Sequence, residues 1–277
     1  MRRRQKLKKA LRYVAIYGGL LILYFPIIWM LVCSLKPNDT LFGTPPRLIP
    51  SKVTADHYIT VLRDTQFLLW VLNTFALSIG SAVLSVTLAI PGAYGLSRFR
   101  YGSKGRVQIG VLVVYMIPPI LLCIPLFVLF SRLRLIDTRI GLILAYTVFS
   151  VPFCLWFLKS YLDTIPEELD EQATIDGCSR FMALWRIIVP LATPGIFAAS
   201  VYGFVRGWAE YLYALIFINT ESKSTISVGL AYMIKASNIP WGPLLAASMM
   251  SMIPTILFFM FIERHFVAGL AAGALKE

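Results

Sequence analysis

Residues 164–194, TIPEELDEQATIDGCSRFMALWRIIVPLATP, decide how this chain is read. They form the longest polar interval between two strongly apolar segments in the second half of the sequence. They also read as two short helices joined by a glycine. Thr164-x-x-Glu167 has capping-box spacing, Pro166 suits a first helical turn, and Glu167 and Glu168 complement the positive end of a helix dipole. Gly177 supplies the left-handed conformation that ends a helix, so the first is expected to run for about a dozen residues, roughly 18 Å. Ser179 is placed to cap a second helix, in which Phe181, Leu184, Trp185 and Ile188 fall at i, i+3, i+4 and i+7 as one stripe. Pro190 and Pro194 are expected to break that helix.

What flanks this stretch is apolar on a scale that soluble proteins do not reach. Of the 277 residues 58% are hydrophobic and 14% charged, against roughly 25% charged in soluble domains; the mean hydropathy is +0.73. Several runs reach the roughly 20 residues that cross a bilayer. The expectation is an all-α, polytopic integral membrane protein with six transmembrane helices, at about 13–34, 67–96, 107–130, 140–162, 195–218 and 244–262. A basic tail at 1–12 precedes the six-helix domain (13–262), and a short tail at 263–277 follows it. The third helix holds Pro118, Pro119 and Pro125, so a kink is expected there. Residues 35–66 hold Pro37, Pro45, Pro46 and Pro50 and read as a loop with a short amphipathic piece near 55–62.

Basic residues orient the spans. Segments 1–12, 97–106, 163–194 and 263–277 carry 15 Lys/Arg, whereas 35–66, 131–139 and 219–243 carry 9. The first set is therefore expected in the cytoplasm together with both termini. The linker with Arg132, Arg134 and Arg139 runs against that bias. The net charge of +12 follows from these flanks, and no aromatic-interleaved basic module points to nucleic acid. The four cysteines form no CxxC, and two distant histidines exclude a His-rich metal site.

Glu171-Gln172-Ala173, three residues, Gly177, nine residues, then Ile187-x-Val189-Pro190 resembles the EAA motif of binding-protein-dependent ABC importers, including Asp176 before the glycine. Gln172 and Val189 depart from the family's second Ala and its Leu. Phe266-Val267-Ala268-Gly269-Leu270-Ala271-Ala272-Gly273-Ala274-Leu275-Lys276, Ser34-Leu35-Lys36-Pro37 and Trp208-x-Glu210 are similar to segments of carbohydrate permeases of the maltose-transporter type. The resemblance implies the shorter permease subunit, in a bacterial inner membrane. It implies a second, different permease subunit, two cytoplasmic ATPase subunits that hold ATP and Mg, and an extracytoplasmic solute-binding protein that delivers sugar. It makes residues 163–194 the loop of the coupling helix, with Glu171, Gln172, Ala173, Asp176, Gly177, Ile187 and Pro190 as its ATPase-coupling positions. The chain has no GxxxxGK[ST] phosphate loop, so it is expected to be non-catalytic and to bind no cofactor itself.

Within the membrane, Arg206 and Glu210 stand at i, i+4 with Trp208, Tyr211 and Tyr213 nearby. Two readings stand open: a mutually satisfying pair that fixes packing, or a polar, aromatic wall along a sugar pathway formed by Arg206, Trp208, Glu210 and Tyr211. Asn73, Thr74, Ser78, Ser81 and Ser85 form a stripe better suited to helix packing. A polyol or glycerol-phosphate-type solute is the alternative cargo. An ion-coupled secondary transporter would show inverted repeats and buried acids, and the chain has no such repeat. A membrane enzyme finds no nucleophile and base here.

Overall fold

Prolines set where the apolar runs break. Residues before proline are driven from the helical to the extended region, and Ile117, before Pro118, is extended at φ −67°, ψ 122°. In the computed structural model, which describes residues 2–43, 50, 52–234 and 239–274, the third apolar run is accordingly two helices rather than one. Lys104–Met116 and Pro119–Arg132 meet at 93°.

All the regular structure described is helical. The helices are α1 (Arg2–Ser34), α2 (Asp56–Asp64), α3 (Phe67–Arg98), α4 (Lys104–Met116), α5 (Pro119–Arg132), α6 (Arg139–Leu162) and α7 (Glu168–Ile175). There follow α8 (Arg180–Leu191), α9 (Thr193–Trp208), α10 (Leu212–Phe217), α11 (Ile226–Tyr232) and α12 (Trp241–Ala274). Among the described residues four helices are long and apolar enough to cross a bilayer: Leu11–Ser34, Phe67–Arg98, Arg139–Leu162 and Trp241–Met260. Two pairs bent by more than 40°, α4 with α5 and α8 with α9, raise that number to as many as six if each pair counts as one span. The fifth expected run, 195–218, is divided: α9 stops at Trp208 and α10 resumes at Leu212. The last helix does not stop near 262 but continues to Ala274. Residues 275–277, and the side chains of the 266–276 motif, lie outside the described residues.

The chain divides into two units, Met1–Phe67 with Leu230–Ile256 and Leu68–Gly229 with Leu257–Glu277. In the first unit, α2 closes on the segment after α1. His57 is buried with Nε2 2.9 Å from the Lys36 carbonyl, Ser34 Oγ and Tyr58 Oη are 2.6 Å apart, and the Lys36 ammonium lies 4.8 Å from the Trp29 ring centre.

The second unit has two buried clusters. One joins α3, α6, α8 and α9 through Val86, Ala93, Cys154, Leu158, Leu184, Ile188 and Ala199. The other joins α3, α5, α6, α10 and α11 through Leu77, Phe130, Leu142, Tyr213, Phe217 and Val228. The polar stripe of α3 packs as its residue types suggest. A Cβ on Gly207 would stand 3.0 Å from Ser78 Cα, and one on Gly203 would stand 3.0 Å from Ala82 Cα. Close backbone approach is what small residues provide between helices in lipid. Asn73 Nδ2 donates to the Ser222 and Ser224 carbonyls (2.9 and 3.1 Å), and the Ile226 amide donates to Thr74 Oγ1 (2.8 Å).

The basic 131–139 linker is tied down rather than free. Arg139 Nη2 donates to Asn73 Oδ1 (2.8 Å). Asp137, at φ 57°, accepts from the Asn219 and Thr220 amides and the Thr220 hydroxyl and pairs with Lys223 Nζ at 2.6 Å. Burial alone would raise this carboxyl, but the Lys223 and Thr220 hydrogen bonds outweigh it and hold Asp137 well below the usual carboxylate range.

Candidate functional site

The EAA-like stretch forms two helices, but its first cap differs from expectation. Thr164 Oγ1 donates to the Tyr161 carbonyl (2.7 Å), closing α6 instead of opening α7. Glu167 precedes α7 without a side-chain cap, and α7 itself is eight residues, Glu168–Ile175. Glu168, Asp170 and Glu171 fill its first turn, where the helix dipole favours acids. Gly177 has φ +84° and turns the chain, and Ser179 Oγ accepts from the Met182 amide (3.2 Å) to cap α8, as the spacing predicts.

The expected single stripe on α8 resolves into two faces. Leu184 and Ile188 are buried, whereas Phe181 is 71% exposed and touches the half-exposed Trp185 edge-on, ring centres 6.1 Å apart. Pro190 does not break α8. The proline lacks the amide that a regular turn would use, and the helix widens into a π turn over Leu184–Ile188. The 79° bend comes one step later, between Leu191 and Thr193.

Of the proposed coupling positions, Ala173 is buried, and Ile187 is partly buried against the first cluster. Glu171, Gln172, Asp176, Gly177 and Pro190 are exposed. Ile175, 84% exposed, is uncovered like Phe181. The segment thus has an anchored inner side and an outer side that combines acids with uncovered apolar groups.

A clamp that sequence reading missed holds the inner side. Arg98, at the end of α3, pairs through Nε with Asp170 Oδ2 at 2.7 Å, with side chains 6% and 16% exposed. Its Nη2 donates to the Ile165 carbonyl (2.8 Å), and the Tyr94 hydroxyl donates to Asp170 Oδ1 (2.7 Å). The adjacent Ser97 donates to Asp163 (2.7 Å), which also pairs with Lys159 at 2.6 Å. Burial alone would raise Asp163, but the Lys159 and Ser97 hydrogen bonds prevail and lower it. Arg180 lies 4.9 Å from the Phe99 ring centre, closing a cleft of about 130 Å³ beside Tyr94, Arg98 and Asp170. Arg98 reads in sequence only as one more loop cation. Nothing local marks a partner 72 positions away.

The four pathway candidates do not stay together. Arg206 and Glu210 form no pair, because α9 ends at Trp208 and takes Glu210 out of the helical register. The Glu210 carboxylate accepts from the Tyr213 amide (3.0 and 3.1 Å) and the Ala214 amide (3.2 Å), so it caps α10. Trp208 stacks on Phe204 with ring centres 5.7 Å apart, inside an aromatic group with Phe75. Tyr211 is exposed at the break between α9 and α10. Arg206 lines a cleft of about 260 Å³ with Tyr115, Pro119, Phe149, Pro152 and Tyr202. The α4/α5 break forms one wall. The Tyr213 hydroxyl donates to the Pro119 carbonyl, linking that break to the one between α9 and α10.

This arrangement has relatives. The chain is 35% identical over 97% of its length, and 98% of the relative's, to the inner membrane ABC transporter permease protein YcjP of Escherichia coli. It is 33% identical to the trehalose/maltose transport system permease protein MalG of Thermococcus litoralis, over 99% of each chain. Its fold matches a subunit chain in the crystal structure of a bacterial ABC transporter that imports the acidic polysaccharide alginate, with a TM-score of 0.80 at 22% identity over 95% of this chain and 98% of that one. Residues 85–271 match the family described as binding-protein-dependent transport system inner membrane component. That match takes in the whole of the clamped segment and the cleft, and the chain belongs to this family of transport permeases.

Proposed function

We propose that this chain is the shorter permease subunit of an ATP-driven importer that moves a sugar delivered by an extracytoplasmic binding protein. A second, different permease subunit completes the pathway, and two ATPase subunits hold ATP and Mg in the cytoplasm. The chain itself catalyses nothing. Residues 163–194 face the cytoplasm with both termini, and Glu171, Gln172, Asp176 and Gly177 lie against an ATPase subunit while Ala173, Ile187 and Pro190 hold the segment's shape.

The observation that carries this reading is the two-sided build of α7 and α8. Their inner side is fixed to α3, α6 and α9, whereas Ile175 and Phe181 face outward uncovered. Exposed large apolar groups grouped on one side mark a protein interface, and an anchored lever passes force into the helices that hold it. A permease relative for trehalose and maltose supports the sugar class. An ion-coupled mechanism loses its main internal acid, since Glu210 is engaged in capping α10.

Reconstitution tests the proposal. The chain, co-produced with the permease and ATPase subunits encoded beside it and supplied with the neighbouring binding protein, accumulates sugar in proteoliposomes only when ATP is present. Uptake by this chain alone, or driven by an ion gradient without ATP, would refute it.

A further inference from the structure

Three residues of the Arg206 cleft stand about half a bilayer thickness along their helices. Arg206 stands thirteen residues into α9, about 20 Å from the helix start; Tyr115 is eleven residues into α4, about 17 Å; Pro152 is ten residues from the end of α6, about 15 Å. Those starting points are the ends nearest the 97–106 and 163–194 segments, and a hydrocarbon core is about 30 Å thick. Arginine keeps its charge under all ordinary conditions. Among the described residues no carboxylate or hydrogen-bond acceptor meets the Arg206 guanidinium, and the nearest acid in sequence, Glu210, is spent on the α10 amides.

The walls beside this cation are aromatic and held from behind. Tyr202 stacks on Phe153 with ring centres 3.7 Å apart, and Phe149 packs on Tyr213 at 4.7 Å. The cleft is therefore preorganised, close to the smaller ligand clefts of about 300 Å³. A lone side-chain carboxylate from a neighbouring subunit would neutralise Arg206 but leave the ring-lined remainder unfilled. A sugar ring with an anionic group satisfies both parts: its apolar face lies on Tyr115, Tyr202 or Phe149, and its carboxylate takes the guanidinium in a two-pronged hydrogen bond.

Resting on the importer reading above, we propose that this cleft is a transit site for acidic saccharides, with Arg206 as the residue that selects the anionic group. The test uses the assembled transporter in lipid nanodiscs without its binding protein. Calorimetry compares a β-1,4-linked disaccharide containing glucuronate with cellobiose, its neutral counterpart. Charge-assisted bonding predicts that the acidic sugar binds about 10-fold more tightly. Arg206→Gln abolishes that preference and Arg206→Lys retains part of it. Equal binding of the two sugars, or binding of neither, overturns the proposal. So does release of the second permease subunit from the Arg206→Gln complex during purification, which would make a subunit carboxylate the true partner. ATP-driven uptake of a neutral sugar would leave the importer reading standing in each of those cases.

Discussion

If α7 and α8 couple to an ATPase subunit as proposed, cutting the Arg98–Asp170 clamp should separate docking of that segment from its transmission of force. Asp170→Ala removes a 2.7 Å pair whose side chains are 6% and 16% exposed, together with the Tyr94 hydrogen bond. Removing one partner of a fully buried pair costs about 3–5 kcal/mol. Here the adjoining cleft of about 130 Å³ lets water reach the stranded guanidinium, and Arg98 keeps its bond to the Ile165 carbonyl. A loss of about 2 kcal/mol is therefore expected, a shift of about 30-fold in the population of the anchored segment. The apolar cluster beneath it is untouched, so the variant stays folded and inserted. ATPase subunits should co-purify at the normal ratio, sugar-stimulated ATP-driven uptake in proteoliposomes should fall at least about 10-fold, and amide exchange over 163–180 should accelerate. A double-mutant cycle with Arg98→Met should show strong coupling. Wild-type uptake by Asp170→Ala would refute the view that the clamp passes motion to α3.

Three other substitutions probe the fold around the site. Gly207→Val places a Cβ 3.0 Å from Ser78 Cα, where backbone must move; a loss of about 2–3 kcal/mol and a sharp fall in the monodisperse fraction on size exclusion are expected. Gly177→Ala meets no atom within 4 Å, so its cost is the backbone at φ +84°, about 1 kcal/mol, seen as a melting midpoint lower by about 2–4 °C. Asp137→Asn destabilises at neutral pH. Folding depresses that carboxyl, so its contribution is complete above its unfolded pKa of about 4 and disappears as pH falls through the folded value. The gap in thermal midpoint between wild type and Asp137→Asn should narrow as the pH drops below about 4.

Local spacing made the α7–α8 turn legible. Ser179 caps α8 and Gly177 takes positive φ because each acts on amides within a few residues. The same local logic failed where two local demands competed. Thr164 was within reach of both α6 and α7, and its hydroxyl closes the former. Arg206 and Glu210 would pair only in an unbroken helix, and the carboxylate instead takes the first amides of α10. The broken third run was marked by Pro118 and Pro119 as a kink, but its 93° angle depends on packing that no short window contains. The Tyr94–Arg98–Asp170 clamp was illegible for a related reason, since it joins residues on separate helices far apart in the chain.

On the proposed function, the outer side of α7 and α8 seats an ATPase subunit. Ile175→Asp and Phe181→Asp place carboxylates on exposed positions that contribute nothing to either buried cluster, so both variants should reach the membrane at wild-type levels. The direct measurement is the ratio of ATPase to permease after affinity purification from cells that make the whole transporter. A stoichiometric ATPase is expected with the wild-type chain, and its loss from the double variant while the second permease subunit remains bound. An undiminished ATPase ratio in the double variant, or no ATPase with the wild-type chain, would contradict it.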